Sequence, residues 1–468
     1  MSKLKTYLVQ ARSDWKNIRK INSLTQAANE LPFSKIEVFA LLPASVLVLV
    51  YLKCVYSCYM DPYSYTYPRP VYSFFREYRF GYIFGYFAAF IVLLLYIKKI
   101  SLNKGKQSLR PRVRSYLKNN TYLCFFIVLY IIIAVSPLIH GFTKIAFLGD
   151  PYRQEEYTRL LSYPLVYMLP LLIVRSKKKR SFVIYSFIIV SVIIAALDLF
   201  KYVFFPKLHE NTSLIGIFCQ INHYGYFLTM MISASAVLFA LESNKKLRML
   251  NLISFIMNTV ALGINSSLGP QLSTFFALIF AFVVCKLRYK SFNKDIIFLF
   301  VIYILIMLGI SFFIESFFYG VLTLFFDVSN IISGDTTGSE GTGRLRIWEY
   351  TVKHIAKRPL LGYGIEGLTD EMIELNLGYG RPHNEFLQYA EFYGIPAAII
   401  YFIGCFMIFI KGLKLREKLD IYHICAFTVV FAYLVSSAVG NTMYYTTPLF
   451  FIFIGLACSV RADLSDSK

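Results

Sequence analysis

The chain has 468 residues, 57% of them hydrophobic and 16% charged, with a formal net charge of +21. A mean hydropathy of +0.56 excludes an ordinary water-soluble domain. The basic residues gather in short loops between apolar runs and are not interleaved with aromatics, which excludes a single-strand nucleic-acid binder and makes the charge topological.

Lys3, Lys5, Arg12, Lys16, Arg19 and Lys20 form a basic N-terminal arm. A full-length apolar run follows with no small-residue cleavage site, so the arm is expected to flank an anchor rather than a cleaved signal. Apolar runs long enough to cross about 30 Å of hydrocarbon recur after it. They lie at 38–53, 80–97, 122–140, 160–174, 181–199, 224–241, 250–264, 272–286, 296–313, 395–410, 421–439 and 448–460. The expected fold is an all-α polytopic membrane protein of about twelve transmembrane helices. Nothing divides 1–468, which reads as one integral membrane domain.

Lys and Arg cluster in the arm and at 98–118, 175–180, 245–248, 286–294 and 411–418, on alternate loops. The positive-inside rule makes these loops cytoplasmic, with anionic lipid headgroups as partners. Both termini are then inside the cytoplasmic membrane, and the large loop 314–393, between spans nine and ten, is extracytoplasmic. The aromatic stretch 59–82 reads as an interfacial belt, with a sugar-stacking surface as the alternative. Cys54 and Cys58 stand four residues apart, a poor offset for a disulfide. No Cys/His cluster has zinc spacing.

The segment 314–393 breaks the alternation of apolar runs and basic loops, and a long loop of this kind tends to carry function. Residues 344–357 predict an amphipathic helix with Ile347, Trp348, Thr351, Val352 and Ile355 on one face. Arg358-Pro359 ends it, and the helix could lie along the membrane surface with Trp348 in the interface. Gly362, Gly364 and Gly367 predict turns, and 369–377 a short helix. Pro382 is expected to open a helix running from His383 into the next span.

Arg344 follows Gly343 at one predicted helix N-terminus, and His383 and Asn384 stand at another. Helix N-termini favour anions, phosphate above all, and a guanidinium grips phosphate at two points. A His there, beside Arg381, is expected to be neutral at pH 7 and able to take a proton from a hydroxyl. The combination suits a lipid-phosphate leaving group and an alcohol nucleophile. Taken singly, an Arg in a loop is ordinary solvated charge, and a His at an interface is a hydrogen-bonding anchor.

The wording Gly343-Arg344, Trp348, Pro359-Leu360-Leu361-Gly362-Tyr363-Gly364, His383-Asn384-Glu385-Phe386-Leu387 and Gly394 resembles the signature region of the O-antigen ligase and Wzy-type polymerase superfamily. Ile221-Asn222-His223-Tyr224 is similar to its Asn-x-Asn-His-like helix start, and Asp150-Pro151-Tyr152-Arg153-Gln154-Glu155 to its outer-loop Arg-x-Glu element. The resemblance implies a GT-C-like membrane glycosyltransferase that inverts and needs no metal or cofactor. Its donor would be an undecaprenyl-diphosphate-linked oligosaccharide, its acceptor a glycan or lipid. A flippase and a chain-length regulator are the implied protein partners. Arg344 would hold the diphosphate, His383 would activate the acceptor or bind phosphate, and Asn384 would orient His383. Arg153, Arg346, Arg381, Asn222 and His223 would bind substrate. The chain departs from the family at Ser266-Ser267-Leu268-Gly269, where Ser-Arg-Gly is frequent, so either another cation such as Arg153 or Arg346 substitutes or diphosphate binding differs. Polymerase and ligase stay open, because they differ only in acceptor. The alternative from another class is a polytopic solute or lipid-linked sugar transporter, which ordinarily has related halves and charges along a path.

Overall fold

The computed structural model describes residues 31–59, 69–103, 109–149, 155–204, 214–218, 220–290, 293–313, 341, 343–377 and 380–460, with short pieces of 23–27 and 322–335. Every regular element among them is helical. In chain order the α-helices are α1 (Phe33–Ala40), α2 (Leu42–Tyr59), α3 (Arg69–Asn103), α4 (Leu109–Asn119), α5 (Thr121–His140), α6 (Lys144–Leu148), α7 (Tyr157–Ser162), α8 (Lys177–Phe204) and α9 (Ile221–Leu241). Then come α10 (Lys245–Asn265), α11 (Leu268–Tyr289), α12 (Lys294–Phe313), α13 (Arg344–Lys357), α14 (Thr369–Glu374), α15 (Glu385–Tyr393), α16 (Ile395–Lys414), α17 (Ile421–Ser437) and α18 (Thr447–Cys458).

Nine helical stretches among the described residues are long and apolar enough to cross a membrane, and each coincides with an expected span. The other three expected spans take different forms. The run 160–174 is α7, a π-helical turn (Tyr163–Met168) and a 3-10 turn (Pro170–Ile173) in succession. Pro164 and Pro170 lack the N–H that a continuous α-helix needs, so the backbone re-registers at each. Helix α17 has 17 residues and α18 has 12, so α18 rises only about 18 Å at 1.5 Å per residue.

The buried core is hydrophobic, and large apolar side chains also cover the outer surface. Leu305, Phe312 and Phe313 of α12 are exposed, whereas α9 is wrapped by α10, α11 and α17 and keeps 89% of its span buried. Apolar faces turned outward suit lipid as solvent. Polar side chains then hold helices together inside, as Asn251 and Asn258 of α10 do by donating to the Tyr185 and Ser191 hydroxyls of α8 at 3.1 and 3.0 Å. Cys54 and Cys58 are free thiols.

Most of 314–342 lies outside the described residues, but the rest of the large loop is ordered into α13, α14 and α15. Helix α13 has the expected bounds, with Ile347, Thr351 and Ile355 buried. Val352 was expected on that face but is 52% exposed, because it sits about 100° round the helix from Thr351. Helix α14 ends at Glu374 rather than at 377. The helix expected from His383 into the next span is two helices. Asn384 is the N-cap of α15, its Oδ1 accepting from the Phe386 and Leu387 N–H groups at 3.0 Å each. Gly394, at φ +89, then breaks the chain before α16.

The glycines of the 359–364 motif have a packing reason. Gly362 (φ +67) lies so close to the end of α15 that a Cβ would stand 2.5 Å from the Glu391 carbonyl oxygen. A Cβ on Gly394 would meet the Leu360 oxygen at 2.2 Å. Close approach lets the Tyr363 and Gly364 N–H groups donate to the Glu391 and Phe392 carbonyls at 2.8 and 2.9 Å. The turn thereby satisfies carbonyls that the end of α15 would otherwise leave unpaired. The loop also meets α5 where a His140 ring nitrogen lies 3.2 Å from the Gly362 oxygen.

Candidate active site

Helix α13 brings Arg344 to the segment that carries His383. Trp348, one turn beyond Arg344 on the same face, donates from its indole Nε1 to the Pro382 carbonyl at 2.8 Å. His383 follows directly at φ +50, a left-handed conformation uncommon for a residue with a Cβ. Such backbone costs of order 1–3 kcal/mol and persists only where the surroundings hold it. Here the indole bond on one side and the Asn384 cap on the other do so. His383 thus precedes the N-cap of α15 and is not in its first turn, and the Asn384 oxygen is committed to the helix. The Asn384 Nδ2 donates to the Ala438 carbonyl at 2.9 Å. The structure therefore puts Asn384 to work on backbone rather than on the imidazole.

The segment 438–446, between α17 and α18, is the hub. A Cβ on Gly440 would fall 1.5 Å from the Tyr226 hydroxyl, so α9 reaches this segment directly. Asn441 Nδ2 lies 3.5 Å from His383 Nδ1. Thr442 exchanges hydrogen bonds with Gln388, its N–H donating to Oε1 at 3.1 Å and its Oγ1 accepting from Nε2 at 2.8 Å. Thr446 Oγ1 lies 3.4 Å from His223 Nδ1. Tyr226 is also an electrostatic neighbour of Arg344, whose proton affinity is lowered by burial and partly restored by that tyrosine. Arg344 Nη1 donates to the Gly341 carbonyl at 3.0 Å.

Arg381 occupies a different environment from the one expected. It is 1% exposed, its Nη1 is 2.9 Å from Glu155 Oε2, and its Nε is 2.8 Å from Glu366 Oε1. Nη1 also donates to the Thr442 carbonyl at 3.0 Å. Burial lowers its proton affinity, but the two carboxylates outweigh that and push it above the ordinary arginine range. Such a guanidinium fastens the 380–384 segment to Glu155 and to 438–446. Arg346 is exposed, two residues and about 200° from Arg344 on the helix. Asn222 accepts from the Ser267 hydroxyl at 2.7 Å, and His223 is buried with its ring nearly perpendicular to that of Tyr226, the centroids 5.3 Å apart. Arg153 and the rest of 150–154 lie outside the described residues. At the end of the aromatic stretch, Tyr78 and Tyr82 are buried around the Arg159 guanidinium at 5.5 and 5.3 Å. The other side chains of that stretch up to 77 lie outside the described residues.

Glu385 is fully buried under the site, with Oε1 accepting from Tyr401 at 2.9 Å. Burial pushes its carboxyl up to about 7 from 4.5, against the hydroxyls of Tyr401, Tyr433 and Ser437. The folded state therefore holds this proton more tightly than the unfolded chain. Its contribution to stability is complete below pH 4.5 and is lost as pH rises through 7. Melting of the purified protein across that window is expected to show a decline that Glu385→Gln flattens. An identical decline in the variant would remove Glu385 as its source.

Sequence reasoning did not single out Asn441, Thr442 or Glu366. Gly440-Asn441-Thr442 did carry a signal, as a short polar break between two apolar runs. Glu366 carried none, since only the fold places it against Arg381.

Fold and site together define a multi-pass α-helical membrane protein with an ordered Arg-, His- and Asn-bearing segment packed on its helices. Residues 252–402 match the family model described as O-antigen ligase. Over that stretch the chain is similar to the O-antigen ligase family. The match runs from within α10 to within α16 and includes Arg344, Trp348 and His383. No curated protein matches the chain.

Proposed function

We propose that this protein is a surface-polysaccharide polymerase or O-antigen ligase. It would take a glycan from undecaprenyl diphosphate and pass it to an acceptor hydroxyl on the outer face of the cytoplasmic membrane. The observation that carries the reading is the docking of α13 on the His383 segment, inside the matched domain, through Trp348 and Pro382. The acceptor hydroxyl gives its proton to His383 and its oxygen attacks the anomeric carbon. The bond from that carbon to the diphosphate oxygen breaks, and the diphosphate leaves on its lipid. The course is inverting and metal-independent, so Arg344, with Arg153 as a second clamp, stabilises the leaving charge. Asn222 and His223 stand on the donor side, and Arg381 holds the segment in place rather than touching phosphate. The loop 314–393 is extracytoplasmic, both termini are cytoplasmic, and the basic loops meet anionic lipids. A flippase delivers the donor and a chain-length regulator sets product size.

The test is deletion of the gene followed by electrophoresis of surface polysaccharide, with complementation by wild type and by His383→Ala. The ladder is expected to collapse to a lipid-linked repeat, or long chains to remain on lipid without reaching their acceptor. Only wild type should restore it. An unchanged ladder, or full complementation by His383→Ala, overturns the reading.

A further inference from the structure

Which nitrogen of a neutral imidazole acts as the base is set by the hydrogen bond that the other makes. Asn384, the expected orienter, is spent on capping α15 and on the Ala438 carbonyl. A side chain that reaches the His383 Nδ1 comes from a remote part of the chain. Asn441 stands 3.5 Å from it, a long contact of the kind that tightens when substrate binds. Its Oδ1 is buried without a hydrogen-bond partner. Nitrogen and oxygen of a side-chain amide exchange by a half-turn, so that oxygen can occupy the position facing Nδ1. The backbone under Asn441 is held on both sides, by Gly440 against the Tyr226 hydroxyl and by Thr442 against Gln388 and Arg381.

We propose that Asn441 is the positioning residue for His383, its amide oxygen accepting the Nδ1 proton and leaving Nε2 as the basic nitrogen toward the acceptor hydroxyl. The proposal rests on the reading of His383 as the group that meets the acceptor. Other charged or titratable groups from the surrounding elements are Arg344 of α13, Tyr226 and His223 of α9, Arg381 and Glu385 of its own segment, and Glu155 beside Thr442. None of these is changed by substitution at Asn441, so a shift in the imidazole reports the pair.

Two readouts on the purified full-length protein test it. The first is carbethoxylation of His383 by diethylpyrocarbonate against pH, followed by peptide mass spectrometry, in wild type, Asn441→Asp and Asn441→Ala. A carboxylate facing Nδ1 should move the His383 midpoint upward by about 1 pH unit. The second is the pH–rate profile of glycan transfer. Asn441→Ala should lower kcat by about 10-fold or more with little change in KM for the lipid-linked donor. Asn441→Asp should recover part of the rate with its acid limb moved upward. A His383 midpoint unchanged in both variants, with rates falling uniformly across pH, assigns Asn441 a merely structural role and overturns the proposal. If Asn441→Asp fails to fold, Asn441→Ser takes its place, with a hydroxyl acceptor expected to restore rate above the alanine level. Wild type without transfer activity defeats the functional reading instead, and the labelling midpoint still decides the pair.

Discussion

Arg344→Ala should lower the rate of glycan transfer by about 10²–10³-fold, with the fold unchanged. In the proposed reaction the leaving diphosphate would gain charge as the anomeric bond breaks, and Arg344 is placed beside Tyr226 and one turn from the indole that holds Pro382. Burial lowers its affinity for the proton, and an anion alongside would favour the charged form that burial opposes. Arg344→Lys keeps the charge but loses the planar fork, and should retain only part of the rate. Initial rates with a lipid-linked donor, alongside melting temperatures of the same preparations, separate the two effects. Equal losses of rate and thermal stability would make Arg344 a structural residue. A lysine variant as fast as wild type would argue against two-point contact.

The largest effect on stability should come from Arg381→Ala. Its side chain lies between Glu155 and Glu366, and all three residues are at most 5% exposed. Removing the cation leaves two buried carboxylates uncompensated, and breaking a buried pair in this way costs about 3–5 kcal/mol. The variant should therefore be recovered in low yield or melt far below wild type in detergent. Adding Glu155→Gln and Glu366→Gln should regain much of the loss, because the penalty comes from unpaired charge rather than from a missing contact. A stable Arg381→Ala protein that is simply inactive would return Arg381 to the diphosphate, where the sequence had suggested it.

Amphipathic periodicity marks α13 from Arg344 to Lys357 because its apolar residues recur at helical spacing, and that pattern needs no partner to be read. The nine long spans among the described residues are legible for the same reason, since a run of about twenty apolar residues reads as a span whether lipid or protein covers it. The run 160–174 is apolar enough to pass as a span, but Pro164 and Pro170 break its hydrogen-bond ladder. The prolines were visible, whereas the π and 3-10 turns that absorb them depend on packing against α18.

The site divides along the same line. Sequence by itself determined the membrane class, the polar loop and the presence of Arg344, His383, Asn384 and Arg381 within one motif. It could not divide their labour, because neighbours in sequence face different ways. Asn384 caps a helix since its short side chain reaches the next two N–H groups, and Arg381 turns inward onto carboxylates. Only the tertiary structure brings Glu155, Tyr226 and Asn441 to the same place. Those contacts span up to 287 residues of chain, as between Thr442 and Glu155, and they form because helix packing closes loops that no local pattern encodes.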